Sequence, residues 1–411
     1  MQEYLERAKG AKAVLSQTSG KLRNDVLSAM AAALRAQTET IIEANKKDLE
    51  YAKSVNLSPS MTDRLLLNEK RIEAMAESIE TIASLRDPLG RTLDGWTLPN
   101  GLNVQKVAIP IGVIGVIYES RPNVTSDTAA LCFKSGNVAV LKGGKEAANS
   151  NFLIADILRG VLDDFGLPKD IISMLPDATR EGVMQLIKMD KYVDLIIPRG
   201  GSALIRAVSE NATVPVVKHD KGVCHVYVDK DANIESAVKI AINAKVQRPG
   251  VCNSMETLLV DNAIAAHVLP IFKAEFDKHA TKLKGCDNTR KIIDVEVASD
   301  DDFYVEYEAN ILNIKVVNGV KEAVSHITRY GSGHSDSIIT ENCTAAEYFL
   351  NGVDSACVYL NASTRFTDGG EFGFGAEVGI STNKLHSRGP MGVNDLTTYK
   401  YKVVGNGQTR E

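Results

Sequence analysis

The chain has 411 residues, of which 44% are apolar and 24% charged, the usage of an ordinary globular protein long enough for two or three domains. Its 47 Lys and Arg against 52 Asp and Glu give a net charge of −5, so no basic excess exists to neutralise a nucleic-acid backbone. The apolar runs are too short to span a membrane, and the opening Met1-Gln2-Glu3-Tyr4-Leu5-Glu6-Arg7 holds no apolar signal core, so a cytoplasmic protein with no membrane partner is expected.

Residues 1–85 read as helices. Leu22, Val26, Met30 and Leu34 recur at helical spacing, and Leu65, Ile72, Met75, Ile79 and Ile82 continue a similar stripe. Leu57-Ser58-Pro59-Ser60 is a break, after which Ser60 or Thr62 can cap the next helix. From Val107 the pattern changes to short β-branched runs, at residues 113–117, 138–141, 171–174 and 193–197, separated by helical segments. Continuous apolar strands alternating with helices predict a parallel sheet covered on both faces.

A second alternation follows residue 230, with strands near 257–260, 314–317, 337–339 and 357–360. Two parallel-sheet α/β domains are therefore expected, with boundaries at 1–230 and 231–384. A C-terminal segment, 385–411, is expected to return to the first domain. Thr397-Thr398-Tyr399-Lys400-Tyr401-Lys402-Val403-Val404 alternates polar and apolar residues as an edge strand does, and residues 97–110 can supply its hairpin partner. An exposed strand of this kind is a liability in a monomer, so this small β flap is expected to build a homo-oligomer.

The six cysteines are scattered without a Cys-x-x-Cys pair, and the seven histidines include no closely spaced ligand pair, so neither a disulfide framework nor a metal site is expected. Arg248-Pro249-Gly250-Val251-Cys252-Asn253-Ser254 is the most informative stretch. It follows a helix and precedes a strand at the proposed domain junction. Pro249 ends the helix, and Gly250 allows close backbone approach. Cys252 is thereby left at the start of a new element, where a thiol can meet a cleft as a nucleophile. The alternative is a packed thiol, the commoner fate of free cysteine.

Neither Gly-x-Gly-x-x-Gly nor a P-loop occurs. Two strands end instead in Leu141-Lys142-Gly143-Gly144-Lys145 and Ile197-Pro198-Arg199-Gly200-Gly201-Ser202, placing glycines and a cation where α/β sheets bind ligands. Lys142 can bond ribose hydroxyls, and Gly200, Gly201 and Ser202 can offer amides to phosphate at a helix start. The same glycines can equally serve as turns. After another strand, Asn123 in Glu119-Ser120-Arg121-Pro122-Asn123-Val124-Thr125 can cap the following helix or donate to a developing oxyanion.

Strand-loop-Pro-Asn, then Ser135-Gly136-Asn137-Val138-Ala139-Val140-Leu141-Lys142, a Gly-Ser turn and a Gly-x-Cys segment resemble the aldehyde dehydrogenase superfamily. More narrowly, the chain resembles the γ-glutamyl phosphate reductase family. That likeness rests on Arg121-Pro122-Asn123-Val124-Thr125, residues 222–229, Tyr330-Gly331-Ser332-Gly333-His334-Ser335-Asp336, residues 361–366, residues 372–382 and Leu385-His386-Ser387-Arg388-Gly389-Pro390-Met391-Gly392. These segments run in order over essentially the whole chain.

The resemblance implies an α/β, aldehyde dehydrogenase-like fold and reduction of L-glutamyl 5-phosphate by NADPH to L-glutamate 5-semialdehyde and phosphate. It implies Cys252 as the nucleophile, with the oxyanion between the Asn123 side chain and the Cys252 backbone N–H. It implies Lys142, Gly143, Gly144, Arg199, Gly200, Gly201, Ser202 and Glu306 as the NADP(H)-binding set, with Arg199 a candidate for the 2′-phosphate. For Glu306 the competing expectation is a solvated carboxylate at a strand edge. Arg121, His334 and Arg365 are the candidate cations for the substrate's anionic ends. Functional coupling to glutamate 5-kinase is a further implied partner. Hydrolytic relatives carry a base in Glu-Leu-Gly-Gly; the corresponding Lys218-His219-Asp220-Lys221-Gly222 has no glutamate, which suits a reductase that must spare its thioester from water, with His219 left as an alternative base. An oxidising enzyme of the same fold, NAD-linked and independent of phosphate, is the competing function.

Overall fold

The computed structural model describes residues 1–218 and 221–410, with backbone alone at Ser60 and Ser202. The chain forms two compact units, one of Met1–Lys218, Gly373–Gly379 and the residues from Pro390, the other of the residues to Phe372 together with Ile380–Gly389.

The first unit begins with helices Gln2–Leu15, Gly20–Ala36, Thr38–Ser54, Pro59–Leu65 and Glu69–Ser84. Ser19 accepts from the Leu22 amide and Asn68 from the Arg71 amide, so the helix starts are written in side-chain caps. At the Pro59 helix the cap is Ser58, not Ser60 or Thr62: with Pro59 in the first turn, the Ser58 hydroxyl is the one that reaches the Met61 amide. Val26, Met30, Leu34, Ile72, Met75, Ile79 and Ile82 are all buried in one core, as their spacing predicts.

Strands Val113–Tyr118, Val138–Lys142, Ile172–Met174 and Leu195–Arg199 make a parallel sheet in the order 172–174, 138–142, 113–118, 195–199. Every residue of Val113–Tyr118 is buried, which explains its unbroken apolar run. The chain moves outward from 113–118 to 172–174, then returns to the other side of 113–118. The carboxyl ends of 113–118 and 195–199 therefore flank the topological switch point, where sheets of this kind bind ligands.

A separate antiparallel sheet joins Thr92–Thr97, Asn103–Pro110 and Thr397–Val404, with Asn103 opposite Val404 and Pro110 opposite Thr397. The terminal strand is an outer one, and Tyr401, Val403 and Val404 are each more than half exposed.

The second unit holds seven parallel strands in the order Glu296–Val297, Lys282–Gly285, Ile311–Val317, Met255–Asp261, Cys224–Val228, Ser335–Ile339, Cys357–Leu360. The expected boundary at residue 230 is thus too late. Cys224–Val228 pairs on both sides within this sheet, and the division falls after Lys218. The boundary at residue 384 is also displaced, because Gly373–Gly379 packs with the first unit and Ile380–Gly389 with the second. Val226 and Leu258 pack in one core cluster and their neighbours Tyr227 and Leu259 in another, because successive strand residues face opposite sides.

Candidate active site

In the second unit the Ile234–Val246 helix, capped by Asn233, ends three residues before Pro249. Cys252 then sits in a turn closed by the Ser254 amide donating to the Val251 carbonyl, three residues short of the strand that starts at Met255. It is presented ahead of the strand, as the sequence of the stretch predicts. Its side chain is partly exposed, whereas Cys132, Cys224 and Cys357 are buried. Burial pushes the Cys132 thiol up to about 12 and the Cys224 thiol well above its ordinary value, keeping both protonated and unreactive.

Gly222 lies against this turn so closely that a Cβ would collide with the Cys252 carbonyl and Cα. The Cys224 thiol donates to that same carbonyl oxygen at 3.2 Å. On the other flank, the Asn253 amide donates to the Thr367 carbonyl at 2.8 Å and the Thr364 hydroxyl donates to the Asn253 carbonyl at 2.8 Å. Arg365 donates from Nε to Gln247 Oε1 at 2.9 Å and from Nη1 to Asn253 Oδ1, so its guanidinium is clasped by residues on both sides of Cys252 in the chain. Burial and the neighbouring Arg248 lower its pKa, while Asp368, Cys252 and Glu371 act the other way. An arginine stays charged under such a shift, so a fixed cation stands beside the thiol.

Glu306 is in a loop and partly buried, not at a solvated strand edge. Burial raises its pKa, and a hydrogen bond from the Gly222 amide opposes that rise. Beneath it lies a pair that the sequence reading did not single out. Lys245 Nζ and Glu256 Oε2 are 2.8 Å apart, both side chains being 1% exposed or less. Burial drives both groups toward their neutral forms, and their attraction opposes it.

His334 departs from its expected role. Its ring is fully enclosed, with Nδ1 2.8 Å from the Ser335 hydroxyl and 3.8 Å from Cys224 Sγ. Ser335 continues to Thr367 at 2.6 Å, and Thr367 to the Tyr359 hydroxyl at 2.7 Å. The ring thus lies beside the Cys224 thiol that bonds the Cys252 carbonyl, and it is not exposed.

In the first unit, Asn123 opens the Asn123–Lys134 helix from inside its first turn and makes no cap bond, which removes the capping alternative. Its amide nitrogen donates instead to Asp127 Oδ2 at 3.0 Å. Just before it, Ser120 takes φ +40°, a strained value for serine, held by two bonds to Glu146 from its amide and hydroxyl. Arg121 follows, partly buried.

At the switch point the Gly201 amide, which begins the Ser202–Asn211 helix, donates to Glu119 Oε2 at 2.9 Å. The chain's own carboxylate thus meets the amide expected to face phosphate. A Cβ at Gly200 would meet that same carboxylate, which would have to shift. Lys142 is only 4% exposed, and burial lowers its pKa against the pull of Asp177, Glu146 and Glu119. Gly143 and Gly144 leave room for the side chains of Asn151 and Glu146. Arg199 lies against Gly379 and within electrostatic reach of Asp127, so its guanidinium is engaged away from the glycine turn. His219 lies outside the described residues. Among the described residues there is no cluster of His, Cys, Asp and Glu able to hold a metal, and no helix is long and apolar enough to cross a membrane.

The family model for aldehyde dehydrogenases matches residues 1–295. A γ-glutamyl phosphate reductase from Sulfurovum sp. is 65% identical over the full length of both chains, and one from Sulfurimonas denitrificans is also 65% identical over the full length of both. The crystal structure of γ-glutamyl phosphate reductase from Thermotoga maritima superimposes with a TM-score of 0.98 at 45% identity, covering 100% of this chain and 99% of that one. The chain belongs to the γ-glutamyl phosphate reductase family, within the aldehyde dehydrogenases. Of the residues to which the resemblance assigns roles, Asn123, Lys142 and the Gly200–Gly201 turn belong to the first unit, and Cys252 and Glu306 to the second, as does Arg365, a candidate substrate cation. The Lys245–Glu256 pair, the Cys224 thiol and Glu119 escaped the sequence reading because their meaning lies in what surrounds them. Glu256 did carry a signal, as a carboxylate in a strand buried along its whole length.

Proposed function

We propose that this chain reduces L-glutamyl 5-phosphate with NADPH to L-glutamate 5-semialdehyde and phosphate, the second step of proline biosynthesis from glutamate. The reaction runs through a thioester on Cys252. The observation that carries this reading is the Cys252 turn, a partly exposed thiol beside a guanidinium fixed by Gln247 and Asn253.

The Cys252 thiolate attacks the acyl carbon, forming a C–S bond. The carbonyl oxygen takes the electron pair and then returns it, as the C–O bond to phosphate breaks and phosphate leaves with its electrons. Arg365 is suited to the phosphate dianion, and its charge favours the thiolate. Arg121 is the candidate for the substrate's amino-acid end. Asn123 and the Cys252 backbone N–H are assigned to the oxyanion by family resemblance. Bound NADPH supplies the hydride that reduces the thioester carbonyl. Loss of the thiolate from the resulting thiohemiacetal then frees the aldehyde and regenerates Cys252.

For the cofactor, Glu306 is suited to ribose hydroxyls, and Lys142, Gly143, Gly144, Gly200, Gly201 and Ser202 to the remainder. The Gly201 amide already donates to an anionic oxygen, that of Glu119, which is the chemistry a phosphate offers. Arg199 is the candidate for the 2′-phosphate. Preference for NADP(H) over NAD(H) is part of the proposal.

A cytoplasmic location, a homo-oligomer and coupling to glutamate 5-kinase complete the reading. The outward Tyr401, Val403 and Val404 on an edge strand support the oligomer. Coupling is favoured by the reactivity of an acyl phosphate toward water. The test is NADP reduction by glutamate semialdehyde, which must require phosphate; phosphate-independent oxidation would instead support the NAD-linked alternative.

A further inference from the structure

We propose that Asp127 is a positioning residue that fixes the amide of Asn123 with its nitrogen, and not its oxygen, toward the reacting carbonyl. This rests on the reading of Asn123 as oxyanion donor. The two residues are one helical turn apart on the Asn123–Lys134 helix, and Asn123 Nδ2 donates to Asp127 Oδ2 at 3.0 Å.

A side-chain amide is nearly symmetric in shape, so rotation about its last bond exchanges oxygen and nitrogen at little steric cost. An oxyanion needs the nitrogen edge, and an amide turned the other way would repel it. A carboxyl oxygen at Asp127 can only favour the N–H orientation, because a reversed amide would set oxygen against oxygen. Nδ2 carries two hydrogens. One is committed to Asp127, and the other is left on an exposed side chain for an incoming oxygen.

Helix stability alone does not account for the pair. An exposed pair at this spacing adds little to the stability of a helix. Asp127 is not exposed: its Oδ1 is shut off from water, and burial pushes the carboxyl up against the pull of Asn123, Ser78 and Arg199. Burying a carboxyl oxygen is costly wherever its bonds are incomplete. Nor does Asn123 gain a cap from the arrangement, since its helix starts without one.

The experiment is a double-mutant cycle read by kcat and KM for glutamate semialdehyde in the phosphate-dependent direction, with circular dichroism to check folding. Losing only the orientation of a donor, rather than the donor, is expected to lower kcat by about 10-fold in Asp127→Ala, with KM within about twofold. Asp127→Asn, whose NH2 can also donate to a reversed Asn123, keeps a hydrogen bond but not the orientation and recovers only part of kcat. In the Asn123→Ala background, Asp127→Ala lowers kcat no further. If Asp127→Ala does not fold, Asp127→Ser, too short to reach Asn123, takes its place in the cycle. An equal loss in both backgrounds, or no loss in the native one, overturns the proposal. Asn123→Ala with native kcat overturns the oxyanion reading beneath it, a separate outcome of the same experiment.

Discussion

Gly222 and Cys252 touch through their backbones, so closely that the space a Cβ would fill at 222 is the Cys252 carbonyl itself. The same Gly222 amide donates to Glu306. One glycine thus holds the reactive turn and the carboxylate assigned to the cofactor's ribose in a fixed relation inside the second unit.

Gly222→Ala must therefore push the Cys252 turn away. Overpacking of this kind costs about 1–3 kcal/mol, readable as a lower urea midpoint. Activity should fall by far more than stability explains, because a nucleophile displaced by about 1 Å loses on the order of 100-fold in rate. A variant with native kcat would show that the contact is merely a tight turn.

Arg365 makes a second prediction, because its guanidinium is fixed by Gln247 and Asn253 before any substrate arrives. A charge-assisted bond to phosphate is worth about 1.5–3 kcal/mol, so Arg365→Ala should raise KM for phosphate in the reverse reaction by ~10- to 150-fold. Arg365→Lys should recover little, since a lysine cannot keep both clasps and the phosphate. An unchanged KM for phosphate would assign the clasp to holding the turn alone.

How far the sequence revealed this site follows from what each residue does. Strands such as Val113–Tyr118, buried throughout, announced themselves as unbroken apolar runs, and the Gly-x-Cys segment announced a presented thiol. The boundary near residue 218 was hidden, because Cys224–Val228 reads the same whichever sheet receives it; only its pairing with Met255–Asp261 and Ser335–Ile339 decides. His334 looked like a substrate cation for the same reason: its motif is visible in the chain, but its enclosure beside Ser335 and Cys224 is a fact of packing. Asn123 could cap or catalyse on sequence grounds, and its place inside the first helical turn, with no cap bond, removed the first option.

The Lys245–Glu256 pair yields a stability prediction. Removing one partner of a buried ion pair strands the other, at a cost of about 3–5 kcal/mol. Lys245→Met should accordingly be strongly destabilised in denaturant titrations, while Lys245→Met with Glu256→Leu should recover most of the loss. A double variant as unstable as the single one would contradict the account of two groups that answer each other's burial.

Asp302 sets an acid limit. Burial alone would raise its pKa, but bonds from Lys284, Ser299 and Tyr307 overcome this and hold the carboxyl well below its ordinary 3.8. A carboxylate depressed in the folded state contributes stability that is complete above its unfolded pKa and is lost as pH falls toward the folded one. The native protein should therefore lose stability as pH drops from about 5 through 3. Asp302→Asn should flatten that slope, and equal slopes for both proteins would refute the assignment.

The central claim is that Cys252 forms a thioester that phosphate, not water, resolves in the oxidative direction. It is tested most directly by following NADP reduction at 340 nm with glutamate semialdehyde, with and without phosphate, for the native protein and Cys252→Ala. The account predicts turnover only with phosphate and none in Cys252→Ala at any phosphate concentration. Rapid turnover of the native protein without phosphate, or appreciable turnover by Cys252→Ala, would contradict it.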